Sequence, residues 1–328
     1  MVRSLLGFDW HRSQAHLLFL SKFLYPKTTQ EFAKLDYWKD VLAEAPDKAI
    51  KRFMNEGLLV SPGLPEHLAY RYKVSELQAI LKQRSLSVSG RKAELISRLI
   101  EADPGGMKSA VAGLTVLECS EHGREIANQY LASEKEKRDA TDREALVMLQ
   151  KGKFKEASLV VAAYEAKQVF PRGIGIDWKN YNPTHTVAIL RAIFAGRPKI
   201  LARLDEGKLG PLRLAAGMME LWGVNKARGW LPPDFETGPV MDNDAAARML
   251  AFYAWHQVRM EEYRKSDFVK SVEVLTANDE HVCEACRNLA TKEYKLSEVP
   301  ELPYEKCTSE MGCRCGVSGV VTIDGTRY

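Results

Sequence analysis

Between Val74 and Ile100 the apolar residues fall into two sets at helical spacing, separated by a short polar turn. Val74, Leu77, Ile80 and Leu81 recur at three- and four-residue intervals, and Leu95, Ile96 and Leu99 repeat the pattern on a second stretch. Between them lies Ser85-Leu86-Ser87-Val88-Ser89-Gly90, whose small and polar residues read as a turn. Ser75 and Ser89 stand where helix caps are needed. Residues 71–102 are thus expected to form a two-helix module.

That module also carries the charge. Arg71, Lys73, Lys82, Arg84, Arg91, Lys92 and Arg98 face only Glu76, Glu94 and Glu101, an excess of four. The whole 328-residue chain has a formal net charge of +4, so the rest of it is balanced. Gly90-Arg91-Lys92 puts cations beside the free N–H groups of a helix start, an arrangement suited to backbone phosphate. The run VSELQAILKQRSLSVSGRKAELISRL resembles a SAP domain. The resemblance implies DNA binding with weak sequence preference and an affinity that falls steeply with salt. Lys73, Lys82, Arg84, Ser89, Gly90, Arg91, Lys92 and Arg98 are the candidate DNA contacts. Ser85 departs from the family, which usually has glycine there, at a position expected to need a left-handed backbone.

Around this module, Asp47–Gly57 reads as a capped helix stopped by glycine, Leu58–Val60 as a strand and Gly113–Cys119 as another. Ser120 is expected to cap a further helix. The order resembles half of a winged-helix domain with the SAP module in its wing, joined through SPGLPEH and DPGG as turn-rich linkers. The fold class expected is mainly α and multi-domain. A winged-helix-like platform spans 1–140, a helical domain 141–268 and a cysteine-rich module 269–328. Within the middle, helices are expected over Glu144–Val169, Thr184–Leu204 and Asn243–Tyr263. The last is studded with Met249, Leu250, Phe252, Tyr253, Trp255 and Met260, an apolar stripe expected to be core.

Five of the six cysteines lie near the C-terminus, as Cys283-x2-Cys286-x20-Cys307-x5-Cys313-x-Cys315. Without a secretory signal at the N-terminus, such clustering favours metal over disulfides. Thiolates at this spacing suit a structural zinc ion, with five candidates for four places and His281 as a possible substitute. Cys119, alone on its strand, is expected to be simply buried. The stretch SVEVLTANDEHVCEACRNLATKEYKL with the later ELPYEKCTSEMGCRC resembles the C-terminal module of phage head-morphogenesis proteins of the Mu F type. The proline-histidine that precedes the last Cys-Arg-Cys in that family is absent.

No phosphate loop, H-E-x-x-H or G-x-S-x-G occurs, and the Pro233-Asp234-Phe235-Glu236 run lacks the rest of a nuclease site. Apolar stretches such as Leu17–Leu20 and Leu159–Tyr164 are far too short to span a membrane, so a cytoplasmic location is expected. The leading expectation is a non-enzymatic DNA-binding protein with protein partners or self-association. A phage structural component, and a DNA-processing or defence enzyme with a site near Asp177–His185, are the alternatives.

Overall fold

The computed structural model describes residues 9–227, 229–238, 241–323 and 326–327. Among them are fourteen α-helices and a few short strands, so the molecule is mainly helical with small sheets. The chain divides into two compact units, Met1–Lys137 and Arg138–Tyr328.

The first unit opens with α1 (Gln14–Ser21), followed by β1 (Lys27–Thr28), α2 (Thr29–Ala33), α3 (Asp36–Leu42) and α4 (Pro46–Asn55). Pro46 occupies the first turn of α4, where a missing N–H costs nothing, and Ala49, Ile50 and Phe53 form its buried face. Gly57 ends the helix with φ +70°. Its N–H reaches Met54 O at 3.0 Å and the Leu58 N–H reaches Phe53 O at 2.8 Å, a Schellman closure. The chain then enters β2 (Leu59–Val60), which pairs antiparallel with β3 (Val116–Cys119), as β1 does on the other side. The sheet order is β1-β3-β2. Phe19 centres the core of this layer, with ring centroids 4.9 Å from Phe32 and 4.8 Å from Trp38. Cys119 is buried in the same core. A long helix, α9 (Glu121–Gln150), follows β3, and Ser120 Oγ accepts the Gly123 N–H at its start.

Residues 61–115 form four helices between β2 and β3: α5 (Leu64–Arg71), α6 (Val74–Gln83), α7 (Lys92–Ala102) and α8 (Pro104–Ala110). The two basic helices expected from the sequence are α6 and α7. The flanking segments differ from expectation, being helical rather than turn-rich linkers. Proline is tolerated in a first helical turn, and Asp103 Oδ1 accepts the Gly106 N–H at 2.7 Å to cap α8. Leu68 of α5 and Met107 of α8 complete a core with Leu77, Leu81, Leu95, Ile96 and Leu99.

In the second unit, α10 (Phe154–Glu165), α11 (Thr184–Ala195), α12 (Glu206–Trp222) and α13 (Asn243–Lys265) precede β4 (Val269–Leu275). The expected helix to Leu204 stops at Ala195, and α12 has no counterpart among the helices expected from the sequence. A short helix α14 (Glu284–Leu289) and strands β5 (Glu293–Lys295), β6 (Gly316–Ile323) and β7 (Thr326–Arg327) complete an antiparallel sheet of order β5-β4-β6-β7. A sequence boundary at residue 268 separates helices from cysteine module, but the apolar core runs across it. Leu190, Leu212, Leu250 and Met260 share that core with Val272, Cys286 and Cys313. No helix among the described residues is long and apolar enough to cross a membrane.

Candidate nucleic-acid interface and candidate metal centre

The turn between α6 and α7 is built by hydrogen bonds that close both helices. Ser85 has φ +55°, the left-handed conformation expected where the SAP pattern has glycine. Its N–H meets Lys82 O at 3.1 Å and the Leu86 N–H meets Leu81 O at 2.9 Å, repeating the closure of α4 with serine in glycine's place. Gly90 has φ +122° just ahead of α7, and Glu94 Oε2 accepts the Arg91 N–H at 3.1 Å.

Gly90 has no side chain, and the other seven candidate contacts separate into two kinds. Arg98 Nη1 donates to Ser87 O at 2.6 Å and Ser89 O at 3.1 Å, tying the turn to α7. Lys92 Nζ donates to Ala69 O at 2.5 Å, and Arg84 pairs with Asp103 at 2.7 Å. Ser89 Oγ lies 3.1 Å from Ser87 Oγ. These four side chains therefore hold the module together. Lys73, Lys82 and Arg91 are exposed and hold no ion pair among the described residues. Lys73 and Arg91 flank the N-terminal ends of α6 and α7, whose first N–H groups favour anions.

At the other site, Cys283 caps α14 and Cys286 lies in its first turn, while Cys307, Cys313 and Cys315 come from the segment leading into β6. All six cysteines are free thiols. Two sets of three sulfurs lie within 4.8 Å of one another: Cys283, Cys286 and Cys307, and Cys286, Cys313 and Cys315. Cys283 Sγ is 3.8 Å from Cys307 Sγ, and Cys286 Sγ is 3.9 Å from Cys313 Sγ. With Zn–S bonds of about 2.3 Å, the edge of a tetrahedron of sulfurs is about 3.8 Å. The donor set and its spacing therefore fit such an ion. A void of about 10 Å³ is lined by Cys283, Cys286, Cys307 and Cys315. Burial raises the Cys283 thiol, but backbone N–H groups at Thr308 and Cys286 outweigh it and bring the pKa down to about 7. Cys313 is held low by hydrogen bonds from Cys286, Cys307 and Cys315. His281 is exposed and lines the same void.

Two supports escaped the sequence. The Tyr304 N–H donates to Cys313 Sγ at 3.2 Å. Arg314 grips Asp279 with two hydrogen bonds of 2.6 Å, fixing the backbone between Cys313 and Cys315. That arginine holds the Asp279 carboxyl down to about 2. The loop near Asp177–His185 is largely self-satisfied: Asp177 accepts from Lys179 and Asn180, and Asn182 Oδ1 from Thr184. Trp178 stacks on Tyr181 at 5.1 Å.

The family model of the SAP domain matches residues 71–104. These residues are a SAP domain, which suggests binding to nucleic acid. No curated protein and no solved structure matches the chain. The comparisons give the head-morphogenesis resemblance of the cysteine module no support.

Proposed function

We propose that the chain is a non-enzymatic DNA-binding protein in which the SAP domain touches the phosphate backbone with little sequence preference. The observation that carries this reading is the SAP match together with three exposed cations, Lys73, Lys82 and Arg91, that no ion-pair partner among the described residues occupies. The first unit acts as a winged-helix-like platform with the SAP helices as an enlarged wing. The chain order β1, α2 to α4, β2, insertion, β3 and the sheet order β1-β3-β2 support that reading. One zinc ion, held by Cys283, Cys286 and Cys307 with Cys313 or Cys315 in the fourth place, closes the C-terminal module. Its support is the two sets of three sulfurs, each within 4.8 Å, that share Cys286, and four protein ligands make it structural.

The test is a filter-binding titration of duplex DNA against salt. Replacing Lys73, Lys82 and Arg91 together by alanine is expected to weaken binding alike on all sequences. It should lower the salt slope by about 0.9 for each phosphate that is no longer neutralised. A slope equal to that of the unsubstituted protein refutes the reading.

A further inference from the structure

A cavity of about 620 Å³ opens in the second unit among α11, α12, α13 and the start of β6. Its size is that of a small-molecule site. Most of one wall comes from α13, where Phe252, Trp255, His256, Arg259 and Glu262 follow the three- and four-residue rhythm of a single face. The apolar stripe read from the sequence is thereby split. Met249, Leu250 and Met260 are buried in the core, but Trp255 remains 50% exposed against the cavity.

Three features of this wall point to a particular ligand chemistry. First, Trp255 Nε1 donates to Glu220 Oε2 at 2.7 Å, which fixes the plane of the indole while leaving its ring exposed. A fixed, open aromatic face is a stacking platform for a planar heterocycle. Second, His256 is only 9% exposed, and its Nδ1 has no hydrogen-bond partner among the described residues. A buried ring nitrogen without a partner is costly, and because Nδ1 itself is closed to solvent, the ring has to turn toward the cavity for a ligand edge to remove that cost. Third, Arg259 is exposed and holds no ion pair among the described residues, so a cation stands free on the same wall. Burial also raises the pKa of Glu220, against its Trp255 hydrogen bond.

We propose that this cavity binds a nucleoside phosphate, with its base stacked on Trp255, the phosphate paired with Arg259 and the base edge hydrogen-bonded to His256 once its ring turns toward the cavity. The same chemistry is offered by a free mononucleotide and by one unstacked nucleotide of a single strand. The assignment does not rest on the SAP domain, which lies in the other unit.

Calorimetric titration of the full chain with dAMP, dGMP, dCMP and dTMP is the test. At least one should bind saturably. Trp255→Ala should weaken binding roughly tenfold, and Trp255→Phe less. Arg259→Ala should abolish the preference for that nucleotide over its nucleoside, with circular-dichroism melting curves verifying that each variant is folded. Competition by a short oligothymidylate, run on the Lys73, Lys82 and Arg91 alanine variant, separates the two sources. Displacement assigns the cavity to a strand nucleotide, and its absence to a free one. Absence of saturable heat with all four nucleotides at millimolar concentration overturns the proposal. So does binding left unchanged by both Trp255→Ala and Arg259→Ala.

Discussion

Replacing Ser85 by glycine is expected to stabilise the SAP domain by about 0.5–1 kcal/mol. Ser85 sits at φ +55°, where an L-residue with a Cβ carries a penalty of about 1–2 kcal/mol. Glycine removes that penalty but loses more backbone entropy on folding, which takes back about 0.4–1 kcal/mol. The closure itself is untouched, because both of its hydrogen bonds, at 3.1 and 2.9 Å, come from the backbone. Ser85 is exposed, so its side chain gives up no packing. The equivalent position after α4 already holds Gly57 with the same bonding pattern, a reference within the chain. Amide hydrogen exchange read by mass spectrometry resolves the two sites. Peptides within 74–102 should exchange roughly two- to fivefold more slowly in Ser85→Gly, while those within 46–60 should not change. Equal or faster exchange in 74–102 would refute the reasoning, since strain at Ser85 could not then be limiting the domain.

Arg98→Ala should behave unlike the exposed cations: exchange in 85–91 accelerates once the two carbonyls of the turn have no guanidinium to bind, and DNA affinity falls while the salt slope holds. Elemental analysis should find one zinc per chain, absent after serine substitution of Cys283, Cys286 or Cys307 and kept in Cys119→Ser. Loss of metal from only one of Cys313→Ser and Cys315→Ser identifies the fourth ligand. Cys119 should resist thiol reagents in the folded protein, because burial pushes its thiol up to about 11, with Arg124 opposing the rise. Burial lowers His256 to about 4, with the Arg264 charge adding to the shift and Cys313 opposing it. Between its ordinary value near 6.5 and that point, the unfolded chain binds the extra proton and the folded one does not. Stability of the second unit should therefore fall as pH drops from about 6.5 towards 4. In urea titrations His256→Gln should lose less stability over that range, and equal losses would show that His256 is not the group responsible.

The two helices of the SAP domain were legible because their pattern is local: each apolar face is written within ten residues, and the turn between them has its own composition. The strands at Leu59–Val60 and Val116–Cys119 were legible for the same reason, and the structure pairs them. Proline and glycine misled at 61–65 and 103–106, where they open α5 and α8 instead of marking linkers. A proline in a first turn and a proline in a linker look alike until the apolar residues that follow, Leu68 and Met107, are seen to join a core.

The sequence by itself determined that a compact basic SAP domain exists, where its helices lie and that the C-terminal thiols are clustered along the chain. Only the tertiary structure decided which charges remain available. Long side chains reach partners far along the chain, as Lys92 reaches Ala69 and Arg84 reaches Asp103, so a cation's freedom cannot be read from its neighbours. The same holds for the second unit. The five thiols converge through separate loops, and Trp255 meets Glu220 from another helix to frame a cavity that no periodicity marks. Helical rhythm is a property of adjacent residues, whereas a site is a property of residues brought together by the packing of whole elements.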